Sequence, residues 1–386
     1  MPSERGLASP AIRPQSGGRP RLDTLTGLRA VAALAVFAVH VIARLEGAPA
    51  EAWSYVAAAG GMGVTFFFAL SGFVLTWAHR DGDEALPFWR RRLARIYPAY
   101  FVALLCGLLV TVASHSRTGV SSVQSYDDVG DLLGPFVAQL TLTQSWVSDD
   151  RYFFSLNGVG WSLSCEAFFY ACFPALILWL ARASRRTRLA TQMGAVALLA
   201  GLALLVEFDA FPGAGWLQGT APITTILPFI LGITIALDVT EGRWSRISFR
   251  WSVAAVGVVY LACCAWPSTF VIAAIPIIPF LALLAAGSWR HLRGESSVFS
   301  TPTFVWLGEV SYCFYLVHQL VIRCMGVFGG TDSWFGAAVQ ILVSLALSLL
   351  AAWLLHVLVE KPFERRLRGS SRARPPVTVD PEPSPA

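Results

Sequence analysis

Ten times between residues 27 and 357 the chain runs through about 20 predominantly apolar residues, the length a helix needs to cross the hydrocarbon of a bilayer. The runs fall at 27–44, 60–79, 98–114, 163–181, 190–207, 220–238, 251–266, 269–287, 303–327 and 336–357. With 55% of residues hydrophobic and only 14% charged, little polar sequence is left for anything but connections. The spacing predicts an all-α, polytopic membrane bundle of about ten helices over residues 22–365. Tails at 1–21 and 366–386 have almost nothing to bury and are expected to be disordered. Residues 1–20 are too polar for a signal-peptide core, so no cleavage is expected.

Charge placement tests the count independently. In a ten-helix arrangement every Lys and Arg except Arg44, Arg117, Arg151 and Arg323 falls on one side. Basic residues near span ends accumulate in the cytoplasm, so both termini are expected there. The net charge of +5 then reflects topology, and nothing resembles a nucleic-acid-binding module. The longest non-spanning stretch, about 115–160, carries five aspartates around LLGPFVAQLTL. That piece is too short to span and reads as a lid or interfacial helix. The seven cysteines show no metal or disulfide spacing and read as packing residues; Cys165, beside Glu166, is a weaker candidate acyl-carrying nucleophile.

Four segments carry ionisable or polar groups where a bilayer makes them costly. The first span, LTGLRAVAALAVFAVHV, holds Arg29 and His40. Their separation of eleven residues puts both on one helix face, roughly 16 Å apart along the axis. Such groups mark a pathway or reactive site, unless Arg29 only snorkels and His40 only bonds a neighbouring helix. Before the third span, FWRRRLARIYPAY places Arg92 and Arg95 three residues apart on one face, a fork suited to phosphate oxygens or to anionic headgroups. The fourth span opens NGVGWSLSCEAFFY and carries Trp161, Ser162, Glu166 and Tyr170 into the outer half of the membrane. Glu166 is expected at the depth of His40, where it could orient a histidine base or only lock two helices. The ninth span, SYCFYLVHQ, aligns Ser311, Tyr315 and His318 on one face. It is either a packing stripe or a competing base, with no partner for His318 evident.

Taken together, GLRAVAAL with His40 eleven residues after Arg29, FFFALSGFVL holding Ser71 and Gly72, RRLARIYP, WSLSCEAFFY, SYCFYLVH and VEKPF resemble the acyltransferase 3 family of integral-membrane acyltransferases, from about Leu22 to Pro362. The resemblance implies transfer of an acyl group from acyl-coenzyme A, a co-substrate rather than a bound cofactor, to a hydroxyl of a sugar or other acceptor. It matches the catalytic histidine to His40, the arginine of the same motif to Arg29, and the donor-side RxxR arginines to Arg92 and Arg95. The family's acidic residue just before the GLR segment is absent, with Thr26 there and Asp23 further back. That LTGLR form resembles the branch containing actinobacterial antibiotic-tailoring enzymes, which act on macrolide sugars or lactones. No SGNH-type esterase domain is expected.

The resulting expectation is a multi-pass bacterial plasma-membrane O-acyltransferase acting on a macrolide-like acceptor, with no metal and no nucleic-acid partner. His40 would serve as general base or covalent acyl carrier and Glu166 as its support. Arg29, Arg92 and Arg95 would bind the donor, and Ser71, Trp161, Tyr170, Ser311, Tyr315 and His318 are supporting candidates. Acetylation of a cell-surface polysaccharide is the alternative acceptor chemistry. A transporter of hydrophobic or saccharide compounds is the alternative from another class.

Overall fold

A computed structural model describes residues 21–80, 82–118, 129–244, 246–325 and 332–367. Most of residues 1–21 and 366–386, together with Asp127 and Asp128, lie outside that description. The elements are α1 (Asp23–Ile42), α2 (Gly47–Gly60), α3 (Met62–Ala78), α4 (Ala85–Thr118), α5 (Leu133–Leu140), α6 (Asp150–Phe153), α7 (Trp161–Arg182), α8 (Arg185–Glu207), α9 (Ala214–Gly219), α10 (Pro222–Thr240), α11 (Phe249–Ala265), α12 (Thr269–Ala274), α13 (Ile277–Leu292), α14 (Pro302–Met325), α15 (Trp334–Leu355) and α16 (Lys361–Leu367), with short 3-10 turns between some of them. A π-helical turn, His356–Glu360, joins the last two.

Eight helical stretches among the described residues are long and apolar enough to cross a membrane, and Met62–Ala78 and Phe249–Ala265 are shorter apolar helices. These ten correspond one to one with the ten apolar runs, so the chain is an all-α polytopic bundle. Among the described residues there is no strand. Helix ends are set by local chemistry. Ser184 and Ser333 cap α8 and α15 by accepting from Thr187 N and Gly336 N at 3.2 and 3.0 Å, and Pro222 sits where its missing N–H costs nothing. Two boundaries differ from expectation. The third span begins thirteen residues earlier, because the arginine-rich segment continues the same helix through Pro98. At the N-terminal edge, Arg21 is held by an ion pair with Glu309 at 2.5 Å, while α16 carries the chain in helix past residue 365 to Leu367.

Backbone contact holds the centre together. A Cβ on Gly72 of α3 would overlap the Phe229 carbonyl oxygen of α10, and one on Gly232 of α10 would overlap the Ala69 carbonyl of α3. The two helices therefore lie against each other with no side chain between them, the arrangement by which membrane helices gain packing without a hydrophobic driving force. Gly308 of α14 meets the Thr26 carbonyl of α1 in the same way, which sets the register of the two helices that carry Arg29, His40, Tyr315 and His318.

Replacing Gly232 by Val should push α3 from α10 and cost roughly 3 kcal/mol or more. The check is thermal unfolding and monodispersity of the purified protein in detergent, with Gly201→Val, where an added Cβ meets nothing within 4 Å, as the unchanged control.

Candidate active site

The segment between α5 and α7 turns into the bundle. Gln139, Gln144, Ser145 and Asn157 are fully buried, and each hydrogen-bonds a backbone carbonyl. Gln139 Nε2 donates to the Ser155 carbonyl at 2.5 Å, Gln144 Nε2 to the Gly160 carbonyl at 2.8 Å, Ser145 Oγ to the Trp161 carbonyl at 2.7 Å and Asn157 Nδ2 to the Leu316 carbonyl at 3.0 Å. Arg323 is also buried and donates to the Leu156 carbonyl, pinning a residue whose φ is +49°. Irregular backbone at membrane depth persists where protein satisfies it and a cavity adjoins it. The apolar piece expected as a lid or interfacial helix forms α5, tied to α4 by Tyr97 Oη and Tyr100 Oη donating to the Leu140 and Gln139 carbonyls at 2.9 and 2.6 Å.

This burial decides where α7 starts. Val159 N donates to Gln319 Oε1 at 3.1 Å, so the entry to α7 is level with the residue after His318. Glu166 lies seven residues beyond Val159, about 10 Å further toward the arginine-rich side at 1.5 Å per residue. It does not reach His40. Its carboxylate instead accepts from Tyr170 Oη at 2.8 Å and lines a cavity of about 130 Å³ with Arg29, Arg92, Arg95, Ser71 and Tyr312. The depth match expected from counting residues in each span fails because α7 begins inside the bundle and not at its surface.

Three guanidinium groups and one carboxylate thus face one small, largely apolar chamber. Among the described residues no hydrogen bond or ion pair engages the side chains of Arg29 or Arg95; Arg92 lies over the Phe88 ring at 5.8 Å. Excess positive charge out of bulk water is costly unless an anion compensates it, and Glu166 is the one carboxylate lining the chamber. Ser71 Oγ lies 3.5 Å from Tyr170 Oη. Ser311 lines the chamber, but its hydroxyl donates to the Gly308 carbonyl at 2.8 Å within its own helix. Through Arg92 and Leu75 the chamber adjoins a cleft of about 280 Å³ that also presents His79, Arg80 and Arg91.

His40 lines a second, larger cavity, about 710 Å³, on the other side of a layer formed by Val64, Phe68 and Tyr315, which border both. Thr65, Trp161, Gln218 and Gln319 face it, and Asp150 stands at its rim. Tyr315 Oη sits 2.8 Å from Ser162 Oγ and donates to the Val159 carbonyl at 3.2 Å. The two histidines that seemed to compete are neighbours: His318 Nε2 lies 3.2 Å from His40 Nδ1, with ring centroids 5.0 Å apart. Arg29 and His40 do share one face of α1, as the spacing implies, but each opens on a different cavity.

An acyltransferase domain model matches residues 22–357 of this sequence, nearly the whole bundle. The chain belongs to the acyltransferase 3 family. It is 34% identical to acyltransferase MdmB of Streptomyces mycarofaciens over 94% of this chain and 96% of that one. It is 25% identical to nodulation protein 10 of Rhizobium leguminosarum bv. viciae over 95% and 98% of the two chains. It is 24% identical to peptidoglycan O-acetyltransferase OatA of Listeria monocytogenes over 79% of this chain and 50% of that one. No solved structure matches it. The protein is therefore a membrane-embedded acyltransferase, and with the family shown the transporter alternative loses its ground.

Within this family member, Cys165 borders neither cavity; its thiol is buried against the Thr220 carbonyl at 3.3 Å, which removes the geometric basis for a cysteine nucleophile. The glutamate of VEKPF, Glu360, is a site residue that the motif alone does not reveal. Glu360 Oε2 lies 2.6 Å from His356 Nδ1 and accepts from Cys313 Sγ at 3.1 Å, all buried at the π-helical turn. One carboxylate oxygen thus holds both the His356 ring and the Cys313 thiol. The signal was a His at i−4 from a Glu close to the end of the last apolar run, a spacing that pairs them on a helix.

Tyr170→Phe should leave the Glu166 carboxylate without its nearest donor and cost about 1–3 kcal/mol. A fall in the thermal unfolding temperature in detergent, absent in Tyr55→Phe at an exposed position, checks it.

Proposed function

We propose that the protein moves a short acyl group from acyl-coenzyme A, entering on the arginine-rich cytoplasmic side of the plasma membrane, to a hydroxyl of a discrete amphipathic acceptor held on the other side, a macrolide or similar glycosylated polyketide. The observation that carries this reading is the pair of cavities sharing the Val64, Phe68 and Tyr315 layer, one lined by cations and the other by His40. Phosphates suit guanidinium forks. Arg92 and Arg95 would hold the donor, with Arg29 deeper along its arm and Arg80 and Arg91 at the outer cleft. The thioester end then reaches the layer between the cavities.

His40 takes the proton of the acceptor hydroxyl as its oxygen attacks the thioester carbonyl. The new C–O bond forms, the C–S bond breaks, and the imidazolium returns its proton to the departing thiolate. Tyr315 and Ser162 stand at the same layer, their hydroxyls held by each other and by the Val159 carbonyl. Glu166, with Tyr170, partly neutralises the arginine chamber when the donor is absent, a role different from the support of His40 anticipated from sequence. The larger cavity lies within the roughly 300–1,000 Å³ typical of small-molecule sites. Its mixture of apolar walls with Thr65, Gln218 and Gln319 suits a ring system bearing a few hydroxyls better than an extended polymer.

Wild-type and His40→Ala proteins expressed in a host making macrolides and surface glycans test the reading by mass spectrometry of extracted molecules. A His40-dependent gain of an acetyl or propionyl group on a macrolide is the expected result. Acylation confined to surface glycan would move the acceptor to the polysaccharide class, and transfer surviving His40→Ala would sink the assignment of the base. In the purified protein, Arg92→Ala and Arg95→Ala should each raise the KM for acetyl-coenzyme A by about 10-fold or more, the worth of a charge-assisted hydrogen bond, with a smaller effect on kcat.

A further inference from the structure

We infer that His318 is a positioning residue that holds His40 with its Nε2 lone pair open to the acceptor cavity and stabilises the imidazolium formed there. The inference rests on the proposed role of His40. Each histidine bonds the carbonyl four residues back in its own helix: His40 Nδ1 lies 2.9 Å from the Val36 carbonyl oxygen and His318 Nδ1 lies 3.1 Å from that of Phe314. A carbonyl oxygen only accepts, so both Nδ1 atoms carry hydrogen. A neutral His318 then has a lone pair on Nε2, and that is the atom 3.2 Å from His40 Nδ1. The hydrogen on His40 Nδ1 therefore sits between two acceptors. A cationic His318 would have to donate from Nε2 to a lone pair on His40 Nδ1, which the Val36 carbonyl excludes. Two carbonyls on two different helices thus require the same tautomer.

What remains of His40 is Nε2, which makes no hydrogen bond to protein among the described residues, on a ring that lines the large cavity. This is the state a base needs. When Nε2 takes the acceptor's proton, the positive charge spreads to Nδ1–H, where the His318 lone pair and the Val36 carbonyl receive it. His318 stands where a carboxylate orients histidine in a triad. It is fully buried and edged by Phe37, Phe314 and Tyr315, so its ring has no freedom to turn. It touches neither cavity and acts only through His40.

The test pairs spectroscopy with kinetics in lipid nanodiscs. In the [15N]histidine-labelled wild type, ring-nitrogen chemical shifts, with His40 assigned by its loss in His40→Gln, should report hydrogen on Nδ1 and none on Nε2. Hydrogen on Nε2 would overturn the inference. With acetyl-coenzyme A as donor and thiol release as the readout, His318→Leu should lower kcat by about 10- to 100-fold, the range of a lost hydrogen bond to a charged group, with KM for acetyl-coenzyme A unchanged. His318→Gln, whose amide oxygen can accept from His40 Nδ1, should recover most of that loss. Full kcat in His318→Leu, or equal losses in the Leu and Gln variants, would refute the positioning role. If the wild type releases no thiol and acylates nothing, the functional reading fails, and the ring-nitrogen shifts alone still decide the histidine pairing.

Discussion

The close approach of α1 and α14 governs the chemistry of this protein. Gly308 lets the Thr26 carbonyl lie where a Cβ would otherwise stand, so the two helices meet backbone to backbone in a single register. Both run from the arginine-rich side, and His40 and His318 are the eighteenth and seventeenth residues of their helices. Their side chains meet, His318 Nε2 lying 3.2 Å from His40 Nδ1. The same register carries Arg29 and Tyr312 to one chamber and Tyr315 to the layer above it. A slip of one turn, about 5.4 Å, would separate the histidines and mix the contents of the two cavities.

Around that pair the bundle holds two different environments. The chamber toward the arginine-rich side concentrates cations in an apolar setting, where each is worth more than in water. The larger cavity is nearly free of charge apart from Asp150 at its rim, with His40 as its one imidazole. A layer only three side chains wide, Val64, Phe68 and Tyr315, separates them. Tyr315 of this layer is tied to the Val159 carbonyl of the buried segment ahead of α7, whose glutamines, serines and asparagine replace the water that backbone would otherwise need. Those residues look like ordinary loop polarity in the sequence, yet they are among the most completely buried polar groups in the molecule.

Local physics made much of this legible from the residues alone. Apolar runs near 20 residues can do little else than span a bilayer, and their count of ten corresponds to the eight long and two shorter apolar helices. The shared face of Arg29 and His40, and that of Arg92 and Arg95, follows from helical periodicity and holds because both pairs sit within uninterrupted helix. The motif set from GLRAVAAL to VEKPF is specific enough to indicate the family from the residues alone.

Tertiary structure decided what periodicity cannot reach. Counting residues from the ends of spans placed Glu166 level with His40, on the premise that α7 begins at the membrane surface. Buried hydrogen bonds draw its start inward, and Glu166 ends among the arginines. His318 had no visible partner, because partnership between residues 278 positions apart depends on which helices touch and in what register, and a glycine facing a carbonyl sets that register here. The sequence determined the elements, their number and the chemistry each carries. Only the packing of the helices decided that the two histidines meet and that Arg29 and His40 open on separate cavities, since those outcomes depend on backbone approach and buried hydrogen bonds between distant segments.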